Sequence, residues 1–180
     1  NMEQRTVELK SSWFGHLRGV EQADIRPQVS GTLIRQVYWD GSICDKGELL
    51  FEIDPATYQA AVDREAANLA TARAVKLQAE ASLNRVQKDL DRYDKLIRTG
   101  AISVKNLTDA QQNLKEMQAA LEQAEAGIKQ AEASLENARI NLDRTKVRAP
   151  FRGLASKATA SVGELISASG SPLTTMSSID

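Results

Sequence analysis

The chain has 180 residues, 23 basic and 24 acidic, for a formal net charge of −1. That balance leaves no electrostatic footprint for nucleic acid, and no stretch approaches the roughly 18 apolar residues that would span a membrane. A single cysteine excludes an intrachain disulfide, and aromatics at 4% with a middle rich in Ala, Gln, Glu, Lys and Leu suit long helices better than a thick core.

Residues 29–54 read VSGTLIRQVYWDGSICDKGELLFEID. The glycines and the alternating apolar positions describe short strands joined by tight turns. Cys44 falls in the alternation, which predicts a buried structural thiol ahead of a reactive one. Lys46, beside Gly47, reads as a solvated turn residue. Asp54 is a candidate N-cap and Pro55 fits the first position of a helix.

From Tyr58 the period changes. Tyr58, Val62, Leu69, Ala72, Ala79, Leu83, Val86, Leu90, Tyr93 and Ile97 follow a four-three rhythm, with Glu65 and Lys76 as its polar interruptions. A second run from Leu107 to Leu142 keeps the rhythm with an apolar residue at every step. A period of 3.5 sustained this long marks a left-handed coiled coil. Folding the chain back between Arg98 and Asn106 matches the layers: Ile97 with Leu107, Leu90 with Leu114, Leu83 with Leu121, Leu69 with Leu135 and Val62 with Leu142. The expectation is an antiparallel hairpin of helices about 40 residues, or about 60 Å, long. A coiled coil between chains is the alternative, and the short connection favours the hairpin. Gly100 can stop the first helix and Ser103 can cap the second. Ala149-Pro150 is the expected end of the second helix. Lys76 would face Ile128, its stem on the seam and its ammonium in water; Glu65 faces Ala138 with room to do the same. Gly127 inside the second helix is unexplained by the pattern.

The return segment, 149–176, repeats the first one. Gly31 and Gly41 are ten residues apart, and so are Gly153 and Gly163. Gly47 and Gly170 each precede a leucine by three residues (Leu50, Leu173). One small β-module is therefore split by a long helical insertion, a device for holding something long at a fixed angle.

Each half-motif resembles the lipoyl/biotinyl fold, whose hairpin tip presents a modifiable lysine. The equivalent stretch here is Glu52-Ile53-Asp54-Pro55-Ala56. Pro55 stands at the lysine position and has no nucleophile, which disfavours a biotin or lipoate carrier. The fold class expected is α+β, a lipoyl/biotinyl-like β-sandwich (barrel-sandwich hybrid) split by a long antiparallel α-helical coiled-coil hairpin.

Three further stretches, Arg26-Pro27-Gln28-Val29-Ser30-Gly31, Ile53-Asp54-Pro55-Ala56-Thr57-Tyr58, and Ala138 to Leu142 followed by Thr145 to Pro150, make the chain similar to the periplasmic adaptors, or membrane fusion proteins, of tripartite efflux pumps of the resistance-nodulation-division type. The likeness covers residues 25–180. It implies a non-enzymatic periplasmic adaptor, anchored to the inner membrane of a Gram-negative bacterium, with no cofactor and no metal. Its partners would be an outer-membrane channel met by the hairpin tip, an inner-membrane transporter met through other domains, and further copies in a ring. An adaptor of an ATP-driven exporter or secretion system is the nearest alternative, and a scaffold coiled coil a more distant one. The family's tip motif falls on Arg92, Leu96 and Ser103. By the heptad register, Arg92 and Leu96 form an i,i+4 pair off the seam, which leaves Leu96 without a place in the hairpin's own core. The implied division is 1–24 as the strand remnant of a truncated β-barrel domain, 25–54 and 147–180 as the module halves, and 55–146 as the hairpin. Residues 3–20 would be an irregular or intermolecularly paired strand with Trp13 and Phe14 exposed, and His16 a surface residue rather than a ligand.

Overall fold

The computed structural model of the chain describes residues 21–100 and 102–179; the expectations for residues 3–20, including Trp13, Phe14 and His16, lie outside them. Eight strands form two four-stranded sheets. They are β1 (Gln22–Ile25), β2 (Gly31–Gln36), β3 (Ile43–Cys44), β4 (Leu49–Ile53), β5 (Lys146–Arg148), β6 (Gly153–Ala155), β7 (Leu165–Ile166) and β8 (Thr174–Ser178). One sheet runs β1-β8-β6-β3, the other β5-β4-β2-β7. Exchanging the first four strands with the last four converts one sheet order into the other. The sequence repeat is therefore a pseudo-two-fold, and each half contributes two strands to each sheet.

Hydrogen bonds outside the ladders obey the same exchange. Gly41 N–H donates to the Ala155 carbonyl at 2.8 Å, and Gly163 N–H to the Leu33 carbonyl at 2.7 Å. Both glycines have positive φ, 79° and 93°, where a Cβ is strained. Leu33, Leu50, Phe51, Ile53, Ala155, Leu173 and Met176 form the dry centre, and Tyr38 stands edge-on to Phe51 with ring centroids 5.3 Å apart. Its hydroxyl donates to the Ser156 carbonyl at 3.0 Å, so a polar end is satisfied within an apolar core. Cys44 is buried and unpaired, and that burial pushes its thiol pKa up.

The first helix, α1, spans Ala56–Arg98 and the second, α2, Val104–Asp143. Asp54 accepts from the Ala56 N–H at 3.0 Å, and Pro55 has helical φ, so the start is built as the sequence expects. Gly100, at φ 73°, follows the C-cap Thr99 and turns the chain out of α1. Every seam position on both helices is at least half-buried, and Leu69, Val86, Ala124 and Leu135 are buried. The end of α2 differs from expectation: the helix stops at Asp143, six residues before Ala149. Thr145, Val147 and Ala149 are buried and the residues between them exposed. This period of two is a strand signal, and pairing with β4 as β5 overrides helix propagation.

Lys76 also differs. Its ammonium is paired rather than free, 3.2 Å from Glu125 across the seam and 3.3 Å from Glu80 one turn on. Glu125 first, then Glu80, holds its pKa above the ordinary lysine value. Glu65 is held by Asn68 and Arg64 on its own helix, which lowers its pKa. At Gly127, an added Cβ would meet nothing within 4 Å. Neither internal packing nor backbone conformation demands this glycine, so Gly127→Ala should stabilise the hairpin by up to about 1 kcal/mol, measured as a higher denaturation midpoint by circular dichroism.

Candidate functional site

The arm leaves the module between two paired strands. β4 and β5 are antiparallel neighbours, with Glu52 opposite Lys146, so the whole hairpin occupies the place of a β-turn. Pro55 stands at that turn, immediately ahead of α1. Thr145 closes the other side; it is fully buried, its hydroxyl donates to the Leu142 carbonyl at 2.7 Å, and its carbonyl accepts from Ile53 N–H at 2.8 Å.

A second contact sets the angle of the arm. Tyr58, in the first turn of α1, donates its hydroxyl to the Ser30 carbonyl at 2.7 Å, while its ring packs on the module core. Ser30 Oγ in turn accepts from the Ala168 N–H at 3.1 Å. The other side of the base is an open groove of about 790 Å³ between the last turns of α2 and strands β1 and β5. Tyr58→Phe keeps the ring and removes the bond, at a cost of about 1 kcal/mol. A broader distribution of module-to-tip distances is expected for this variant by electron-spin resonance of paired labels, with the melting temperature lowered by about 2–4 °C.

At the far end α1 finishes in a tight turn. Thr99 donates both its N–H and its hydroxyl to the Leu96 carbonyl, at 3.2 and 2.8 Å, and Gly100 N–H reaches the Ile97 carbonyl at 3.1 Å. Ser103 caps α2, with Oγ accepting from Asn106 N–H at 3.4 Å. Its hydroxyl proton is left to donate elsewhere. Arg92 is exposed and pairs with Asp89 one turn back. Such an exposed i,i+3 pair is weak and screened by salt, so the guanidinium can be recruited by a stronger acceptor. Leu96 lies one position off the seam residue Ile97 and is half-buried, so the hairpin shelters it more than the register alone implies. The large exposed apolar side chain at this end is Val104, 72% exposed in the first turn of α2. A heptad run counted from Leu107 passes over it. Its position one after the cap is the signal that marks it. Arg92, Leu96, Ser103 and Val104 together offer a cation, two apolar surfaces and a hydroxyl at the tip. Among the described residues no cluster of three or more His, Cys, Asp or Glu could hold a metal, and no helix is long and apolar enough to cross a membrane.

Residues 21–176 match the family model of the barrel-sandwich hybrid domain of RND membrane fusion proteins. The multidrug efflux pump subunit AcrA of Escherichia coli K12 is 36% identical over 110 residues, which are 59% of this chain and 26% of AcrA. The toluene efflux pump periplasmic linker protein TtgD of Pseudomonas putida is 32% identical over 106 residues, 59% of this chain and 24% of the linker. The chain therefore spans about a quarter of the length of these relatives. Among solved structures, MacA from Actinobacillus actinomycetemcomitans superposes with a TM-score of 0.82 at 26% identity, covering 91% of this chain and 50% of MacA.

Proposed function

Because this chain belongs to the membrane fusion proteins of resistance-nodulation-division pumps, we propose that it is the module-and-arm portion of a periplasmic adaptor in an efflux pump. The observation that carries the reading is where the arm is set. Two helices of 43 and 40 residues replace a β-turn of the module, so about 60 Å of coiled coil projects from a fixed base. Such a part transmits position and seals a joint, and it needs no chemistry of its own. Pro55 stands where a carrier would hold its lysine, so a biotin or lipoate arm has no attachment point.

In this reading the tip, through Arg92, Leu96 and Ser103, with Val104 beside them, docks on an outer-membrane channel. Arg92 exchanges Asp89 for a carbonyl or carboxylate of the channel, the apolar side chains fill a groove between its helices, and Ser103 donates its hydroxyl proton. The inner-membrane transporter is met through other parts of the protein, several copies form a ring, and solutes pass through unaltered. The location is the periplasm, as stated for the toluene pump linker. The test is genetic. A strain lacking the full-length protein should accumulate a fluorescent pump substrate, and the wild-type gene should restore export. Accumulation unchanged by the deletion, in a strain whose other pumps are inactivated, would remove the efflux reading.

A further inference from the structure

Both sheets present an outer strand to the groove of about 790 Å³ at the foot of the arm: β1 is the edge of one sheet and β5 the edge of the other. β5 turns one side of its backbone to β4. The Thr145 carbonyl accepts from Ile53 N–H, Ala149 N–H donates to the Glu48 carbonyl, and the Ala149 carbonyl accepts from Gly47 N–H. Alternate residues of an antiparallel strand face opposite edges, so the peptide groups of Lys146 and Arg148 are turned the other way, toward the groove these residues line. Among the described residues, no strand pairs with the outer side of β1 or β5. The walls are cationic. Arg139 and Arg144 of α2, Lys146 and Arg148 of β5, and Arg26 just past β1 face the carboxylates of Asp24, Glu136 and Asp143. Arg26 pairs with Asp24 at 3.5 Å, and Arg148 donates to the Gly47 carbonyl at 3.0 Å. The charged ends of Arg139, Arg144 and Lys146 have no hydrogen bond or ion pair among the described residues. Ile140, 39% exposed, adds apolar surface beside them.

We propose that this groove is the docking site for an extended acidic segment of a partner protein, which adds as a strand to the free edge of β5. The outward peptide groups of Lys146 and Arg148 supply the ladder bonds of strand addition. Arg139, Arg144 and Lys146 meet carboxylates on the segment through charge-assisted bonds, and an apolar side chain between those carboxylates rests on Ile140. A bare anion would answer the charge and leave the peptide groups of the edge to water. A neutral strand would answer the edge and leave three cations crowded together. An acidic strand answers both. Cations on a sheet edge also deter neutral and basic strands, so the same residues that invite one class of segment exclude the others. Docking of this kind does not depend on the efflux reading.

The test uses three fluorescent hexapeptides: alternating glutamate and valine, the same with lysine for glutamate, and the same with proline for valine. By fluorescence anisotropy the first should bind at least about tenfold more tightly than the lysine peptide. It should also bind at least about tenfold more tightly than the proline peptide, which keeps the carboxylates but cannot complete the ladder. Arg144→Glu with Lys146→Glu should weaken binding of the acidic peptide at least about tenfold, with helicity unchanged. Lys129→Glu with Lys157→Glu, the same charge change outside the groove, should leave it as it is. In the protein without substitutions, the acidic peptide should slow amide exchange at Lys146 and Arg148, read by nuclear magnetic resonance. No binding at millimolar peptide, equal binding of any two peptides, equal weakening by the two double variants, or binding without protection of those two amides would each overturn the proposal.

Discussion

Replacing Arg92 with Asp and Leu96 with Ser in the full-length protein should abolish efflux and channel docking while leaving the hairpin folded. Both side chains precede seam positions, so neither carries the coiled coil; the change at exposed Arg92 should shift stability by about 0.5 kcal/mol or less, and that at half-buried Leu96 by about 1 kcal/mol. The charge change is larger than one residue implies. Arg92 sits among Asp89, Asp91 and Asp94, and its side chain, 66% exposed, is paired with Asp89. An aspartate there joins Asp89, Asp91 and Asp94 in one acidic stretch ahead of Lys95 and Arg98, which repels any carbonyl or carboxylate surface that Arg92 would have met. Leu96→Ser removes an apolar contact at the same joint. An Arg and a Leu acting as interface anchors are each worth about 2 kcal/mol, so docking should weaken by about a thousandfold for the pair. The measurements are export of a fluorescent substrate, co-purification with the channel, and far-ultraviolet circular dichroism. Export at the wild-type rate would sink the tip assignment without touching the family membership.

Gly153→Ala should be the most damaging single-methyl change in the module, and clearly worse than the same change at its pseudo-symmetric partner Gly31. A Cβ on Gly153 would lie 2.4 Å from the Ser177 carbonyl oxygen and 3.1 Å from the Phe151 ring. The first of these is backbone of β8, hydrogen-bonded to β6 and β1, and cannot yield alone. A Cβ on Gly31 would instead meet a single side-chain methyl, Ile53 Cγ2, at 2.7 Å, which can rotate at modest strain. Overpacking of this kind costs about 1–3 kcal/mol, and the two glycines should fall at the top and bottom of that range. Urea unfolding of the two variants measures the difference. Equal midpoints would show that β8 moves more freely than its pairing implies.

Much of this architecture is legible in order along the chain. A 3.5-residue period needs only neighbours three and four apart, so the hairpin, its register and its seam can be written down from Tyr58 to Leu142. The capping residues Asp54 and Ser103 and the turn at Gly100 act within a few bonds and are equally readable. The repeat of glycines points to two like halves. It cannot tell that they interleave, because the sheets depend on pairings such as Ile25 with Thr174, far apart in sequence. The end of α2 is misplaced by local pattern for the same reason: β5 exists only because β4 is already there to pair with it.

The candidate tip divides similarly. Arg92, Leu96 and Ser103 follow from spacing and resemblance, but the shelter around Leu96 and the exposure of Val104 depend on how the last turns of two helices cross. The sequence by itself determined that a double-helical arm is inserted after Pro55, since local periodicity is sufficient for that, and the resemblance to the lipoyl/biotinyl fold implies that a carrier lysine would stand there. Only the tertiary structure decided how the arm is held and what lies open at its foot. The Tyr58–Ser30 clasp, the pairing of Lys76 with Glu125 and the cationic groove between α2 and two sheet edges arise when segments distant along the chain are brought to within a few ångströms, and no local pattern of residues carries that distance.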